Sequence, residues 1–432
     1  MSNFKIAIIA IFSISIIAGV VVFAMYRAGS GQTTYNLTVW GVIPEEQFNL
    51  FYKASTVSKN KYITVKYVQK SPADFDTDFV QALADGVGPD VVLLREDSLY
   101  KNRNRLFVIP YTNYSQRTFK DTFVQGTEIF LTADGVVALP LFVDPLVLYW
   151  NRDIFSNALV ATPPKYWDEL YTLSSKMTVK DNSANVSQST ISFGEWDNVA
   201  NAKEILSLLL LQAGTPIVKY DASQKKYTSA LDSQLGYTVS PGNSTLNFFT
   251  QFSNPTSAYY SWNRPLPSSS NFFLSGQSAL YIGKASELFS IQQKNPNLNF
   301  DVTYIPQIRA TASTQNKLDF AHIYTAAIVR QSKSIPGDFT FITSLTEPSA
   351  LSALEALTSL PSARRDMLSV APSDPYRVVF YNSALIARSF IDPDPLQTTA
   401  IFRDMINSIV SGQSQTSEAL GQANTSLGDA LK

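Results

Sequence analysis

Apolar and polar positions follow two different periods between residues 37 and 94. Apolar residues alternate with polar ones at 37–40 and 63–67, which predicts two strands, and a helical period at 45–55 predicts a helix between them. A second helical stretch, Phe75–Ala84, ends at a glycine-rich turn, and an apolar strand follows at 90–94. These repeated βαβ units predict an α/β fold with a mostly parallel sheet that carries helices on both faces.

After residue 155 helical periods become more frequent than alternation. A pair of prolines begins a predicted helix at 163–170, and a glycine ends another at 203–212. A further strand is predicted at 299–305. Additional helices are predicted at 336–345, 350–357, 376–390 and 398–410.

Residues 143–150 indicate a buried, β-rich strand, and the acid Asp144 lies inside it. A carboxylate in such a strand costs free energy unless a polar or cationic group meets it. We therefore expect Asp144 to face a cleft. The alternative is that the strand breaks at Asp144-Pro145 and the acid lies in a solvated turn, and the local signals leave this open.

The N-terminal residues 6–25 are uncharged and apolar, with Lys5 before them and Arg27 after them. This length is enough to cross a bilayer as one transmembrane helix. A cleaved secretory signal is the alternative, but no convincing small-residue cleavage site follows the segment. We expect residues 1–27 to be an uncleaved signal anchor, residues 28–34 a linker, and the body of the chain to lie on the extracytoplasmic side of the cell membrane.

Composition narrows the possible chemistry. The 432 residues exceed one ordinary domain, so two compact lobes are expected. Lys and Arg number 34 against 35 Asp and Glu, which leaves no basic field for nucleic acid. The chain has no cysteine and a single histidine, His322, so disulfides, thiol nucleophiles, iron–sulfur clusters and sites that need two histidines are excluded. We expect no metal, no cofactor and a structural role for His322.

Several short motifs occur in one order along the chain. They are Val39-Trp40, then 88–92, 139–140, 148–153, 163–170, 273–280, 305–306, 389–393 and 411–420. Each motif is weak alone. Their order and spacing resemble those of the extracellular solute-binding proteins of ABC importers, specifically the maltose-binding-like family, over residues 37–427.

This resemblance implies a two-lobed, periplasmic-binding-protein-like fold of type II. Lobe 1 would comprise residues 35–142 plus 307–346, and lobe 2 would comprise 146–303 plus 349–432. The chain would cross between the lobes at 143–146, 303–306 and 345–349. Such lobes close on a ligand like a hinged clamp.

The same resemblance, carried over position by position, implies ligand contacts in the cleft between the lobes. Trp40 ends the first strand, Asp97 follows the Gly-Pro-Asp strand, and Asp144 is the hinge acid. A carboxylate accepts two hydroxyl hydrogen bonds, and an aromatic face stacks on the apolar side of a sugar. The candidates from lobe 2 are Glu195, Trp196, Trp262, Tyr281 and Lys284. The alternative for the aromatic residues is that they cover the edge of the core.

Lys284 marks a departure from the sugar-binding relatives. They commonly have a tryptophan just after the strand that ends here, whereas this chain has Lys284-Ala285-Ser286. Residues 398–400 also lack the aromatic residue found there in maltose binders. Lys284 could pair with a carboxylate or phosphate of the ligand, or with Asp144 itself.

The expected function is therefore that of a monomeric, membrane-tethered receptor without enzymatic activity. It would bind a small polar solute, a sugar or oligosaccharide, and deliver it to the permease subunits of an ABC importer. Two alternatives remain. One is an anchored, glycosidase-like hydrolase with Asp97 and Asp144 as acid and base, and the other is a degenerate binding domain used for adhesion or signalling.

Overall fold

The computed structural model describes residues 33–234, 236–309 and 317–432. The predicted signal anchor, residues 1–27, and most of the linker lie outside the described residues. Within the described ranges, no helix has the length and apolar character that a membrane crossing requires.

Strands and helices alternate through most of the chain. The strands are β1 Tyr35–Gly41, β2 Ile63–Gln69, β3 Val91–Arg95, β4 Ile109–Pro110, β5 Gly135–Val136, β6 Leu139–Asn151, β7 Val179–Lys180, β8 Val186–Gln188, β9 Val218–Asp221, β10 Lys226–Ser229, β11 Leu280–Lys284, β12 Phe300–Thr303, β13 Asp319–Ile328 and β14 Ala387–Arg388. The helices are α1 Glu45–Ala54, α2 Phe75–Ala84, α3 Leu99–Asn102, α4 Gln116–Thr122, α5 Arg152–Asn157, α6 Glu169–Met177, α7 Ala202–Gln212, α8 Pro241–Thr250, α9 Ser269–Leu274, α10 Leu288–Lys294, α11 Ile335–Leu345, α12 Pro348–Thr358, α13 Arg365–Leu368, α14 Pro375–Ile386, α15 Pro395–Val410 and α16 Thr416–Ala430.

The main sheet has the strand order β11-β6-β13-β3-β1-β2, with β12 paired to β6 and β14 paired to β13. β1 runs parallel to β2 and β3, as the βαβ pattern predicted. β13 runs antiparallel to β3 and β6, and β11 and β12 run antiparallel to β6. The sheet is therefore mixed, and the prediction of a mostly parallel sheet is wrong beyond β1–β3. The reason is that β6 and β13 run in opposite directions between two hydrophobic cores.

β6 is the strand that the two cores share. Its residues 139–145 pair with β13, and residues 146–151 pair with β11 and β12. Leu146 and Leu148 enter one core, while Val147 and Tyr149 enter the other. Successive side chains of a strand point to opposite faces, so a strand covered on both faces carries an unbroken apolar run. This explains the apolar pattern from which the strand was predicted.

The first core is built on β1–β3 and α1, and the second on α7, α8, α15 and α16. Leu351 of α12 and Phe380 of α14 lie in the first core, whereas Phe402 of α15 lies in the second. The apolar face of α12 packs against α1, whereas Tyr376 of α14 stacks on Phe300 of β12, a strand of predicted lobe 2. The predicted lobe bounds stay a prediction.

The helix predicted at 163–170 begins later, at Glu169. Before it, Tyr166 forms a β-bridge with Gln307, in which Trp167 N donates to Gln307 O at 3.1 Å and Gln307 N donates to Lys165 O at 2.9 Å, and residues 167–168 form a turn. These long-range hydrogen bonds replace the intrahelical ones. A proline pair marks a helix start only where such a competing partner is absent.

A buried carboxyl near the start of α11 joins this helix, through Ser332, to Asp90 just before β3. Ser332 Oγ lies 2.6 Å from Asp338 Oδ2 and 2.8 Å from Asp90 Oδ1. One hydroxyl has one proton and cannot donate to both carboxylates. Burial, together with the charge of Asp90, raises the pKa of Asp338 to about 7 despite the Ser332 hydrogen bond. A protonated Asp338 can donate to Ser332, which then donates to Asp90.

We expect Asp338→Asn to remove a pH-dependent loss of stability. Because folding raises the pKa of Asp338 from 3.8 to about 7, its contribution to stability is present below pH 3.8 and is lost as the pH rises through 7. An asparagine amide still donates to Ser332 and does not ionise. Urea unfolding at pH 8 should show the variant more stable than the wild type by about 2 kcal/mol, with little difference at pH 4. The exposed Asp232→Asn variant is the control, and identical pH dependence of Asp338→Asn and the wild type would contradict the expectation.

Candidate functional site

A cavity of about 280 Å³ opens where β1 and β3 end. Its walls are largely apolar, and its polar groups are Asp76, Arg95, Ser98, Tyr324 and Thr325. In α/β sheets, ligand sites lie beyond the carboxyl ends of parallel strands, which is where this cavity lies. Its volume is at the low end of the range for small-molecule pockets, roughly 300–1,000 Å³.

Arg95, which lines this cavity, forms an ion pair with the buried Asp97 behind it, which does not line the cavity. Arg95 Nε donates to Asp97 Oδ1 at 3.1 Å, and Arg95 Nη2 donates to Oδ2. Burial alone would raise the pKa of Asp97, but the charges of Arg95 and His322 outweigh burial and hold the pKa below its usual value. The pair is therefore ionised and fixed by two parallel hydrogen bonds.

The hydroxyl of Tyr324 is the polar group of the cavity that remains available. It takes part in no hydrogen bond to any residue in the described ranges. Burial raises the pKa of Tyr324 well above its ordinary value, so the phenol stays neutral. A neutral phenol both donates and accepts hydrogen bonds. By contrast, Thr325 Oγ1 already donates to Leu94 O at 2.9 Å.

Asp144 is buried and held by its own chain. Its Oδ1 accepts from Ser286 N at 3.0 Å, and its Oδ2 accepts from Ser286 Oγ at 2.7 Å. Burial raises the pKa of Asp144, although the Ser286 hydrogen bonds and the charge of Lys284 oppose the shift. Asp144 is not among the residues that line the cavity. The cost of burying this acid is met by a hydrogen-bonding partner, one of the possibilities the sequence left open.

His322 lies between two carboxylates beside this region. Its Nδ1 is 2.8 Å from Glu96 Oε1, and its Nε2 is 2.9 Å from Glu204 Oε1. Burial would lower the pKa of His322, but Glu96 and Glu204 outweigh burial and raise it to about 9. Burial would likewise raise the pKa of Glu204, but His322 holds it well below its ordinary value. The ring is therefore a cation at neutral pH, which fits the structural role expected for it.

The same region contains a group of possible metal ligands in the described residues. Glu96, Asp97 and His322 offer ligand atoms within 4.8 Å of one another. Both ring nitrogens of His322 and both oxygens of Asp97 already have partners, and the guanidinium of Arg95 lies beside them. An imidazolium and a guanidinium repel a metal cation. This arrangement is an ion-pair network.

Tyr281 and Lys284 lie beside this network, whereas Trp40 lies near the end of β1 in the first core. Lys70 Nζ sits 3.9 Å from the centroid of the Trp40 ring, so a cation covers that aromatic face. Tyr281 OH donates to Glu287 Oε2 at 2.5 Å, and its ring stacks on Phe273. Lys284 ends β11, and its charge lowers the pKa of both Asp144 and Glu204 against the effect of burial.

Glu195, Trp196 and Trp262 lie apart from the network. Glu195 pairs with Arg264 at 3.4 Å, and Trp196 is packed in the second core. Trp262 is 0% exposed, and its Nε1 donates to Asn198 Oδ1 at 3.0 Å. In this conformation Trp262 contacts protein atoms and no open space.

The structure thus gathers Asp97, Asp144 and Lys284 around His322, with Tyr281 at the edge, and does not bring Trp40 into this group. The ligand-binding role of the eight predicted residues stays a prediction. Sequence reasoning missed Arg95 and Tyr324. The sequence contained a signal for both. Arg95 ends an apolar strand two residues before Asp97, and Tyr324 lies in an apolar strand two residues after His322.

Comparison with known proteins gives one family match and several similar structures. The family described as bacterial extracellular solute-binding protein matches residues 43–351. A cyclo/maltodextrin-binding protein complexed with maltotetraose is 16% identical, with a TM-score of 0.74 over 93% of this chain and 98% of that one. A cyclic α-maltosyl-1,6-maltose binding protein from Arthrobacter globiformis is 15% identical, with a TM-score of 0.72 over 92% of this chain and 99% of that one. The GacH receptor of Streptomyces glaucescens, solved unliganded and with acarbose, is 14% identical, with a TM-score of 0.69 over 93% and 99%. At these identities the likeness shows the fold.

We expect Asp144→Ala to destabilise the protein by about 2 kcal/mol. The alanine removes two hydrogen bonds to a buried carboxyl, while the exposed Ser286 can bond to water instead. Asp144→Asn keeps one acceptor oxygen and should cost about 1 kcal/mol. Urea unfolding of both variants at pH 7 measures the difference, and Ser286→Ala, which removes one of the two hydrogen bonds, should fall between them. An Asp144→Ala variant as stable as the wild type would show that this contact does not hold the strands together.

Proposed function

Because the chain belongs to the bacterial extracellular solute-binding protein family, as its motif order predicted, we propose that it captures a sugar or short oligosaccharide and delivers it to an ABC importer. Its α/β fold matches that of two-lobed periplasmic binding proteins. In this proposal the protein binds its solute without converting it. The permease subunits of the importer are its partners.

The cavity at the ends of β1 and β3 is the observation that carries the proposal. It combines apolar walls with the fixed Arg95–Asp97 pair and the free hydroxyl of Tyr324. A sugar presents hydroxyls that both donate and accept, beside patches of C–H surface. Small-molecule sites have this composition, mostly apolar with a few convergent polar groups.

The charge balance of the cavity supports an uncharged solute. Asp97 neutralises Arg95, and Asp76 pairs with Lys101 Nζ at 3.1 Å. An ionic ligand would have to displace one of these partners, whereas a neutral polyol can bind to the pairs as they stand. The similar structure of the cyclo/maltodextrin-binding protein agrees with this choice, since its ligand is maltotetraose.

A hydrolase would need two carboxyl groups on opposite sides of a bond in the same cavity. Asp97 and Asp144 have pKa values shifted in opposite directions, as such a pair requires. However, Asp144 does not line the cavity, and both of its oxygens accept from Ser286. Binding without turnover is therefore favoured.

A screen of mono-, di- and oligosaccharides should find a solute that raises the melting temperature. A ligand at a hundred times its dissociation constant stabilises the native state by about 2.7 kcal/mol. Chromatography of the same mixture should recover the sugar unchanged. Recovery of a cleaved product that disappears in Asp144→Asn would support the hydrolase instead. A wild-type protein that responds to no sugar would contradict the proposal.

The Tyr324→Phe variant tests whether the sugar binds in the cavity that Tyr324 lines. Removal of one hydroxyl that hydrogen-bonds the ligand should weaken binding about tenfold in calorimetry, with an unchanged melting temperature of the free protein. Trp262→Phe is the matched control, because Trp262 is enclosed in the core and should lower the melting temperature but leave the dissociation constant unchanged. Equal affinity of Tyr324→Phe and the wild type would place the ligand elsewhere.

The proposal includes a membrane tether through residues 1–27, with the body outside the cytoplasm. The support is the length and apolar character of residues 6–25. The full chain should sediment with membranes, resist carbonate extraction and be digested by external protease in spheroplasts. A chain that begins at Gln32 should remain in the supernatant. Release of a shortened protein that lacks the N-terminal residues into the medium would show a cleaved signal instead.

A further inference from the structure

His322 on β13 hydrogen-bonds to one carboxylate beside each of the two cores. Glu96 follows β3 of the first core, and Glu204 lies in the first turn of α7 in the second core. His322, on β13 between them, makes hydrogen bonds of 2.8 Å and 2.9 Å to these two carboxylates. Carboxylates only accept, so each ring nitrogen must carry a proton. The geometry therefore requires an imidazolium.

The attachment is stronger on the side of the first core. Glu96 Oε2 also accepts from Ile323 N at 2.7 Å, and Glu96 Oε1 accepts from Ser389 Oγ at 3.2 Å. Glu204 makes its side-chain hydrogen bond to His322, and its side chain is 15% exposed. Glu204 is therefore the less firmly held of the two partners.

Other charges face the ring from the elements packed around it. Arg95 on β3 opposes the proton on His322, while His322 lowers the pKa of Asp97 and of Asp144 against their burial. Lys284 on β11 acts on Asp144 and Glu204. The acids and bases around the ring are Arg95, Glu96, Asp97, Asp144, Glu204 and Lys284.

We infer that His322 is a positioning residue for solute capture, which as an imidazolium joins Glu96 to Glu204 and makes closure of the lobes require a proton on its ring. The inference rests on the proposed function, since closure serves to enclose a solute. Glu96 lies between Arg95 and Asp97, whose side chains form the ion pair beside the cavity. The bridge thereby connects lobe closure to the position of that pair.

Closure of the lobes is linked to protonation of His322, because the ring has a different number of carboxylate partners in the closed and open states. In the closed state burial disfavours the charge of His322, but its two carboxylates raise the pKa to about 9. Loss of Glu204 on opening removes one of these carboxylates and lowers the pKa of the ring. A group with the higher pKa in the closed state favours closure at low pH and loses that contribution as the pH rises through about 9. Closure therefore takes up protons at mildly alkaline pH.

A second contact between α3 and the helices of the second core contains no histidine and serves as the control for the pH experiment. Lys101 Nζ lies 2.9 Å from Asp394 and 3.1 Å from Asp76, and Tyr100 OH donates to Leu431 O at 3.1 Å. Burial opposes the charge of Lys101, but the hydrogen bonds to its two acids hold its pKa above the ordinary value. This contact therefore joins the two sides through a lysine and its acids, with no histidine.

The experiment follows the distance between the lobes without any solute. The chain has no cysteine, so Leu50→Cys and Leu159→Cys, which are 49% and 92% exposed, accept one label each. Single-molecule energy transfer from pH 6 to pH 10 reports the closed and open populations. We expect the ratio of closed to open molecules to fall about tenfold or more between pH 7 and pH 10.

Three variants of the labelled protein decide the outcome. His322→Gln should give a ratio that does not change with pH. Glu204→Gln keeps a hydrogen-bond acceptor but loses the charge, so its transition should move about one pH unit lower. Lys101→Gln should lower the ratio by the same factor at every pH from 6 to 9.5. A flat profile in the wild type, or an unchanged transition in His322→Gln and Glu204→Gln, would overturn the inference.

The outcome is separable from that of the proposed function. A protein that binds no sugar but shows the His322-dependent transition would refute the proposed solute and keep the proton linkage. A protein that binds sugar with the same affinity at pH 7 and pH 10, and whose lobe distance ignores pH, would keep the function and refute the linkage.

Discussion

Burial of charge is the constraint on which this structure depends. The region where β6 and β13 pass between the two cores contains Asp144 and His322 opposite each other in the sheet register. An isolated ion in such surroundings would cost several kcal/mol. The fold meets this cost with partners from distant parts of the chain, such as Ser286 for Asp144. Arrangement of the surrounding elements is therefore fixed as much by these partners as by apolar packing.

Partnered ions are a weak source of net stability, because apolar residues of similar volume often stabilise a protein equally well. Their value lies in geometry. Arg95 and Asp97 hold each other through two parallel hydrogen bonds, which fixes the guanidinium of Arg95, a donor, at the cavity wall. A pair of leucines there would pack well but would offer a solute no hydrogen bond. The ions of this region thus specify an arrangement that apolar packing alone could not.

The sequence predicted the parts of the fold that depend on local patterns. The βαβ unit of β1, α1 and β2 follows from periodicity, and the apolar run of β6 follows from burial on both faces. The antiparallel course of β13 and the packing of α12 on the first core were not predictable in this way. Both depend on which distant segment returns to the sheet, and periodicity carries no information about that choice.

The candidate site shows the same division. Asp144 is identifiable because a carboxylate in an apolar strand requires a partner. This rule needs only the sequence of one strand. Trp262 was chosen for its residue type, and residue type does not distinguish an aromatic platform from a core side chain 0% exposed. Arg95 and Tyr324 belong to β3 and β13, which pair with each other, and the pairing brings Arg95 directly opposite Tyr324. A cation and a phenol that are far apart in sequence become one site through that register, and the register is set by the burial of the strands on which they lie.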